Sequence, residues 1–261
     1  MDKMIVTVFD DESSAYEGSK ALRELHDEGN ITLYAAAVIA KDSKGKVIVN
    51  RQPDQGPLGT ALGFATGSLI GLLGGPVGLA VGAVTGTFMG SLSDTVQLGV
   101  SDDFLDEVSQ HLSPGKWAVV AEVDEVWITP LDTRMETLGG VVFRSARSEF
   151  IDAQIEREIA ADKAEIAEMK AERDKAVGEA KVKLQAKIDA AQKRLQARRV
   201  KLDKKIEAIK HEGEAKIKSL KEQAAKAKSE TKAKLEKRLV EALNNHEARV
   251  DKLRDKLSKA A

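Results

Sequence analysis

The chain has no cysteine and few aromatic residues, and each shortage excludes a class of site. Without Cys there can be neither a disulfide nor a thiolate metal centre. Aromatic residues make up 4% of the 261 residues and charged residues 32%, which indicates that much of the chain is solvated helix. The first apolar run is too short for a secretory signal and acidic residues follow it, so we expect a reducing, cytoplasm-facing location.

The overall charge of −1 conceals two halves of opposite sign. Residues 1–150 have a net charge of −10, and residues 151–261 have a net charge of +9. Oppositely charged halves can attract one another within or between chains, and the basic half can meet an anionic surface.

The first half predicts an α+β domain with a ferredoxin-like βαββαβ order. Short β-branched runs predict strands, and apolar residues at helical spacing predict the helices between them. The predicted strands are 4–9, 31–40, 46–50 and 117–123, and the predicted helices end near His26 and Leu112. These elements assign residues 1–54 and 99–130 to a split head domain.

Charge is also absent from Gln55 to Ser93, a run of 39 residues in which glycine recurs at every fourth position. Gly74, Gly75 and Pro76 interrupt the run, so residues 55–98 predict a helical hairpin that is inserted into the head. Small residues at this spacing let two helices approach closely, as in a glycine zipper. The helix-packing residues are Gly59, Gly63, Gly67, Gly71, Gly75, Gly78, Gly82, Gly86 and Gly90.

Glycine costs a helix about 1 kcal/mol relative to alanine in water, whereas a lipid bilayer enforces internal backbone hydrogen bonding. The hairpin therefore favours a membrane, although each helix of about 25 Å is slightly shorter than a bilayer core. A buried hairpin in a soluble oligomer and a flexible low-complexity loop are the alternatives.

After a junction at 131–147, residues 148–261 predict one long charged helix that resembles a coiled coil. Good helix formers dominate, proline is absent, and the only glycines are Gly178 and Gly213. Apolar residues recur at eleven-residue spacing, which favours a straight or slightly right-handed coil. We expect this stripe to mediate oligomerisation, with anionic lipid or plain solvation as alternatives. The stripe comprises Ile155, Ile166, Val177, Ile188, Leu184, Leu195, Ile206 and Ile217.

Catalytic chemistry is not indicated. The four histidines His26, His111, His211 and His246 have no metal-ligand spacing. We therefore expect no enzyme activity, no catalytic residues, no metal, no cofactor and no identifiable small-molecule substrate. Nucleic acid is not expected either, because acidic residues are interleaved in the basic half and stacking aromatics are absent.

Four segments resemble an uncharacterised bacterial family of predicted membrane proteins of unknown function with a glycine-zipper core. The resemblance covers residues 1 to about 160 and implies membrane association, but it brings no activity, cofactor or catalytic residues. The segments are ELHDEGNITLYAAAVIAKD (24–42), QGPLGTALG to GSLIGLLGGPVG (55–78), DDFLDEVSQHLSPGKWAVVAEV (102–123) and TPLDTRMETLGGVVFRSAR (129–147).

The leading hypothesis is a membrane-associated scaffold that self-assembles as a homo-oligomer through its zipper and tail. It would sit at a bacterial inner membrane or on the cytoplasmic face of that membrane, with both termini cytoplasmic. Lysines and arginines precede the hairpin and its tip is uncharged, which agrees with the positive-inside rule. The alternatives are a soluble self-assembling cage, ring or filament and a stress-linked module that senses a small ligand.

Overall fold

The computed structural model describes residues 2–43, 45–50, 66, 67, 69, 70, 73 and 100–259, apart from the side chains of Asn50 and Asp162. The chain divides into two compact units: unit 1 comprises residues 1–151 and 214–241, and unit 2 comprises residues 152–213 and 242–261. The described strands are β1 (Asp2–Phe9), β2 (Ile31–Lys41), β3 (Val47–Asn50), β4 (Trp117–Glu125) and β5 (Val141–Ala146). The helices assigned among the described residues are α1 (Glu12–Asp27), α2 (Asp102–His111), α3 (Thr129–Thr137), α4 (Arg147–Lys175), α5 (Glu179–Lys226) and α6 (Ser229–Ser258).

The five strands form one antiparallel sheet in the order β3-β2-β4-β1-β5. β4 lies between β1 and β2, and β1 lies between β4 and β5. Helix α1 therefore connects two strands that flank β4, and α3 connects two strands that flank β1. Two interlocked units of this kind make a ferredoxin-like arrangement. The α+β class that the sequence predicts, with a long helical region after the sheet, is confirmed.

The strand that completes this arrangement comes from the segment that the sequence assigns to a junction. Residues 131–147 form most of α3, all of β5 and the first residue of α4, and β5 pairs with β1. The predicted third strand, β3, pairs with β2 at the opposite edge. The sequence signal for β5 is weak, because its apolar run is only three residues long, from Val141 to Phe143.

The side chains of the sheet alternate between two covered faces. Ile5 and Phe9 of β1 belong to the core on the face that α1 and α3 cover, which we call face 1. Met4, Val6 and Val8 belong to the core on the opposite face, face 2, together with side chains of α2. Because both faces are covered, the inner strands are apolar at almost every position.

The helices of the head begin and end at residues with specific capping chemistry. The Asp11 carboxylate accepts a hydrogen bond from the Ser14 backbone N–H at 2.9 Å, and this bond, with a second from the Ser14 hydroxyl, lowers the pKa of Asp11. The Ser101 hydroxyl likewise accepts from the Phe104 N–H at 3.2 Å. Gly29 follows α1 with a left-handed φ of 69°, a conformation that ends the helix and that glycine adopts at little cost in free energy.

Residues 148–261, which the sequence predicts as one helix, form three helices. Residues 176–178 separate α4 from α5, and Gly178 adopts a left-handed φ of 62° there. Residues 227–228 separate α5 from α6, whereas Gly213 lies inside α5 without interrupting it. A polar helix with one narrow apolar stripe gains stability when the stripe is covered. Folding back lets the chain cover part of its own stripe.

Unit 2 consists of α4 from Asp152 onward, the first part of α5 and the last part of α6. Ion pairs join Glu165 to Arg194 at 3.0 Å and Glu158 to Lys205 at 3.8 Å, so α4 and α5 run antiparallel. The Arg249 guanidinium binds the Asp152 carboxylate at 2.7 Å and brings α6 against α4. The buried apolar side chains of this unit are Ile155, Ile159, Ile188, Ala191, Leu202, Ile206, Ile209, Val250, Leu253 and Leu257.

Candidate functional site

The predicted glycine zipper lies almost wholly outside the described residues. Gly67 is its one described member; it is exposed, and no described atom lies within 4 Å of the Cβ that alanine would add. In the part of the chain that the structure describes, no helix combines the length and the hydropathy that crossing a bilayer requires. The members outside the described residues are Gly59, Gly63, Gly71, Gly75, Gly78, Gly82, Gly86 and Gly90.

Three apolar side chains from the first predicted hairpin helix are buried in the head. Leu69, Ile70 and Leu73 pack in the core on face 2 with side chains of α2. A side chain that packs there cannot at the same time contact lipid. These three positions therefore contact protein in this structure, and the membrane hairpin stays a prediction for the rest of residues 55–98.

The predicted oligomerisation stripe is partly covered within the chain. Ile155, Ile188 and Ile206 are buried inside unit 2. Val177 lies in the break between α4 and α5 and is 86% exposed. The remaining members keep part of their apolar surface open, so the stripe is only partly available to a second copy. These half-buried members are Ile166, Leu184, Leu195 and Ile217.

A buried charge cluster joins α5 to one end of face 2 inside unit 1. The Lys216 ammonium lies 2.7 Å from the Asp2 carboxylate and 2.6 Å from that of Glu122, and it lies over the ring of Tyr34 at 5.3 Å. Arg147 adds a second cation at 3.3 Å from Asp2. Two cations thus face the buried carboxylate of Glu122 and the half-buried carboxylate of Asp2, and the four groups form a structural ion cluster.

Neighbouring residues on α5 and α6 hydrogen-bond the backbone of the sheet. The Gln223 amide donates to the carbonyls of His26 at 2.6 Å and of Ile31 at 2.9 Å. The Arg238 guanidinium donates to the Asp124 carboxylate at 2.8 Å and to the Gly29 carbonyl at 3.3 Å. These contacts fix residues 214–241 to the head at defined positions, because each buried polar atom needs a specific partner.

Burial shifts the pKa values of Tyr34 and His26, which lie near these contacts between the helices and the sheet. It raises the pKa of Tyr34 well above its usual value, and the nearby Asp124 and Asp2 carboxylates reinforce the effect. Burial also lowers the pKa of His26, against the opposing effect of Asp27. The neutral ring matches its role, since Nδ1 of His26 accepts a hydrogen bond from the Leu33 N–H at 3.1 Å.

The exposed side of α5 in unit 2 carries a row of cations that we call the basic row. The stretch 181–205 contains ten Lys or Arg and two Asp. Because steps of three, four and seven residues return to one side of a helix, the row is continuous over about 33 Å. Its members are Lys183, Lys187, Arg194, Arg198, Lys201 and Lys205, of which only Lys205 is half-buried.

The basic row is not apparent when the tail charges are taken mainly as a solvated face with paired Glu and Lys. The two aspartates of the stretch, Asp189 and Asp203, fall outside the row. Counting charge by helical face over 181–205, rather than over the whole tail, separates the cations from the acids. Residues 179–226 form one helix, so the row keeps its alignment.

The histidines show no catalytic arrangement in the described residues. Nδ1 of His111 lies 2.9 Å from the Glu107 carbonyl of its own helix, as expected for an imidazole near a helix end. His26 bonds the backbone of β2 instead. The expectations of no catalytic residues, no cofactor and no metal stay predictions.

Comparison with known proteins gives one result. A family model described as "Protein of unknown function (DUF1269)" matches residues 60–160. The matched range runs from the uncharged segment through α2, β4, α3 and β5 into α4. The chain has no match among curated proteins or among solved structures. Over these residues the chain is similar to an uncharacterised protein family.

Proposed function

We propose that this protein is a non-catalytic scaffold that binds the anionic surface of a membrane and self-assembles there. The basic row of α5 carries the proposal, because it presents cations on one exposed side of a helix. We place the protein at the inner membrane of a bacterium, on the cytoplasmic face, in agreement with the leading hypothesis from the sequence.

The electrostatic attraction between the basic row and an anionic bilayer is sufficient for such binding. Each Lys or Arg close to an anionic bilayer contributes about 1 kcal/mol, and the attraction decays within a Debye length. Three of the six cations pair with glutamates, Lys183 with Glu179, Arg194 with Glu165 and Lys205 with Glu158, so the attraction of the row is smaller than six such contributions. It is still sufficient to hold a protein on a charged surface at low salt. The net charge of +9 for residues 151–261 adds a longer-range attraction.

Lipid is favoured over nucleic acid as the polyanion. Stacking aromatics, which support binding to single strands, are absent from the sequence after Phe150. The uncharged run from 55 to 93 is the sequence feature that favours a lipid environment elsewhere in the chain. Duplex DNA remains the alternative that an experiment has to test.

Self-assembly is supported by apolar surface near the turn between α4 and α5. The ion pairs that attach α6 to α4 lie at the other end of α4, at Asp152 and Glu156. Towards the turn, Ile166 and Leu184 are half-buried and Val182 is 70% exposed. A second copy could cover these side chains, as the predicted homo-oligomer requires.

The proposal is tested by removing four cations from the basic row and measuring binding to vesicles. One variant replaces Lys183, Lys187, Arg198 and Lys201 with glutamine. A control variant with the same loss of charge replaces the exposed Lys20, Lys163, Lys170 and Lys175. Both are sedimented with phosphatidylcholine vesicles and with an equal mixture of phosphatidylcholine and phosphatidylglycerol.

We expect the wild type to bind only the anionic vesicles, and the row variant to bind at least about 100-fold more weakly, from about 1 kcal/mol per charge. The control variant should retain most of the binding. Equal losses in the two variants would contradict a role for the row. Binding to duplex DNA without binding to anionic vesicles would identify nucleic acid as the partner instead.

A further inference from the structure

Three consecutive apolar side chains are exposed where β4 leads into α3. Val126 is 71% exposed, Trp127 66% and Ile128 45%. Single exposed apolar residues are ordinary on a protein surface, whereas a contiguous group that includes tryptophan is a marker of an interaction site. We call residues 126–128 the apolar loop.

The apolar loop is held outward by buried residues on both sides. Glu125 before it is 1% exposed, and its carboxylate binds Arg144 at 2.7 Å and Lys3 at 3.1 Å. Leu131 after it is fully buried on face 1. With both flanks fixed, the chain of the loop itself is too short to turn all three side chains into the core.

The loop also departs from the usual chemistry of a helix start. Ile128 occupies the N-cap position of α3 and makes no side-chain capping bond, although Ser, Thr, Asp or Asn is preferred there. Pro130 follows at the first turn of the helix. A local rule that is broken without a structural gain points to a functional constraint at that position.

Cations lie beside the apolar loop within the same unit. The Lys234 ammonium on α6 donates to the Asn30 side chain at 3.0 Å, and Asn30 precedes Ile31, which pairs with Glu125 directly before the loop. Lys234 and Lys237 are exposed on this helix. Apolar tips next to lysines suit the boundary between lipid headgroups and acyl chains, where tryptophan is enriched.

We propose that the apolar loop inserts into the interfacial layer of an anionic bilayer, with Trp127 as the anchor. The inference rests on the membrane binding proposed above, but it concerns a different unit and different residues. The basic row supplies attraction to the surface, and the loop supplies contact with the acyl region. Exposed tryptophan is well suited to this, since its ring is apolar and its N–H can bond at the headgroup level.

The test uses the two tryptophans of the chain. Trp117→Phe removes the half-buried indole, whose ring lies 6.4 Å from that of Tyr16, and leaves Trp127 as the single reporter. This protein is mixed with vesicles of phosphatidylcholine alone and with an equal mixture of phosphatidylcholine and phosphatidylglycerol. A second set of anionic vesicles carries bromine on the acyl chains, which quenches only indoles that reach them.

We expect a blue shift of the Trp127 emission and quenching by brominated lipid with anionic vesicles only. If the protein pellets with those vesicles while its emission stays unchanged, the loop proposal is wrong and the membrane-binding function stands. If the protein does not pellet with them, the membrane-binding function fails and the loop proposal fails with it.

A variant series separates insertion from a protein contact. Trp127→Ser should weaken binding to anionic vesicles at least about tenfold, as loss of an interfacial anchor predicts. Val200→Ser, at a position that is 57% exposed in unit 2 and lies outside the basic row and the oligomerisation stripe, is the matched control and should bind like wild type. Far-ultraviolet circular dichroism should be the same for all three proteins. If Trp127→Ser instead abolishes self-association in lipid-free sedimentation and leaves vesicle binding intact, the loop contacts a second copy and the proposal is overturned.

Discussion

The same two helices, α5 and α6, have different surroundings in the two units. In unit 1 two of their cations are buried: Lys216 and Arg238 are each 8% exposed, and each binds defined atoms of the sheet. In unit 2 the ion pairs are exposed or half-buried, as between Lys252 and Glu156 or between Arg254 and Glu207. The amino-acid composition is similar in the two stretches, so composition does not decide which charges matter.

The difference lies in what replaces water around each charge. Removing a buried cation leaves its carboxylate or carbonyl partner uncompensated, which is costly. When an exposed cation is removed, water readily hydrates the partner. Unit 1 therefore depends on individual polar residues of α5 and α6. Unit 2 depends on its apolar stripe, and its ion pairs lie at the surface, where solvent screens them. Four predictions test this contrast.

The largest effect is expected from Arg238→Met. The change removes bonds to the Asp124 carboxylate and to the Gly29 carbonyl in a buried location, so we expect a loss of about 3 kcal/mol in the free energy of unfolding. Urea unfolding of the full chain measures it. Arg254→Met, which removes the exposed bond to Glu207, is the matched control and should unfold at the same urea concentration as wild type. Equal losses would contradict the contrast between the units.

A smaller effect is expected when alanine replaces a glycine in each unit. The Cβ of Gly140→Ala would lie 2.6 Å from side-chain atoms of the buried Phe9 and Thr7, so we expect a loss of about 2 kcal/mol from overpacking. In Gly213→Ala the new Cβ meets the ring of His246, which is half-buried and can turn, while alanine favours the helix. We expect that change to stay within about 0.5 kcal/mol of wild type. Thermal unfolding of both variants decides between these outcomes.

Local sequence patterns predict most strands and helices of the head. They do not predict strand β5, which completes its sheet. Strands β1, β2 and β4 are apolar runs bounded by turn residues, and Asp11 and Ser101 stand where helices need caps. Strand β5 has only a short apolar run, and its place beside β1 depends on pairing across a long stretch of sequence. Local signals carry no information on such pairing, so they predict only a junction for residues 131–147.

The tail, too, has features that local sequence patterns do not predict. The eleven-residue stripe identifies helical residues with one apolar side, but it does not say whether a second copy or the same chain covers that side. The break at Gly178 was visible as a glycine, whereas the break at residues 227–228 has neither glycine nor proline. The basic row was present in the sequence, and the charge sum over the whole tail hid it.

Acidification is expected to weaken unit 1 through His26. Because burial lowers its pKa in the folded chain, the unfolded chain takes up the proton first as the pH falls. The contribution is therefore complete above about 6.5 and is lost as the pH falls through the lowered value, and protonation of Nδ1 also removes the bond from the Leu33 N–H. Urea midpoints at about pH 7.5 and about pH 5.5 measure the loss, which should be smaller than that of Arg238→Met. His26→Asn keeps an acceptor and should abolish this dependence; an unchanged dependence would assign it to another group.

The smallest effect is expected from Glu156→Gln in unit 2. Hydrogen bonds from Lys256 and then Lys252 lower the pKa of Glu156 below its usual 4.5, so its contribution is present above that value and is lost as the pH falls through the lowered one. The carboxylate is half-buried but still reached by solvent, which screens the pairs, and we expect a loss of no more than about 0.5 kcal/mol at neutral pH. The difference in melting temperature between wild type and Glu156→Gln should shrink at high salt. A loss as large as that of Arg238→Met would show that exposed pairs hold unit 2 together, and the basic row would then have a structural role that competes with binding.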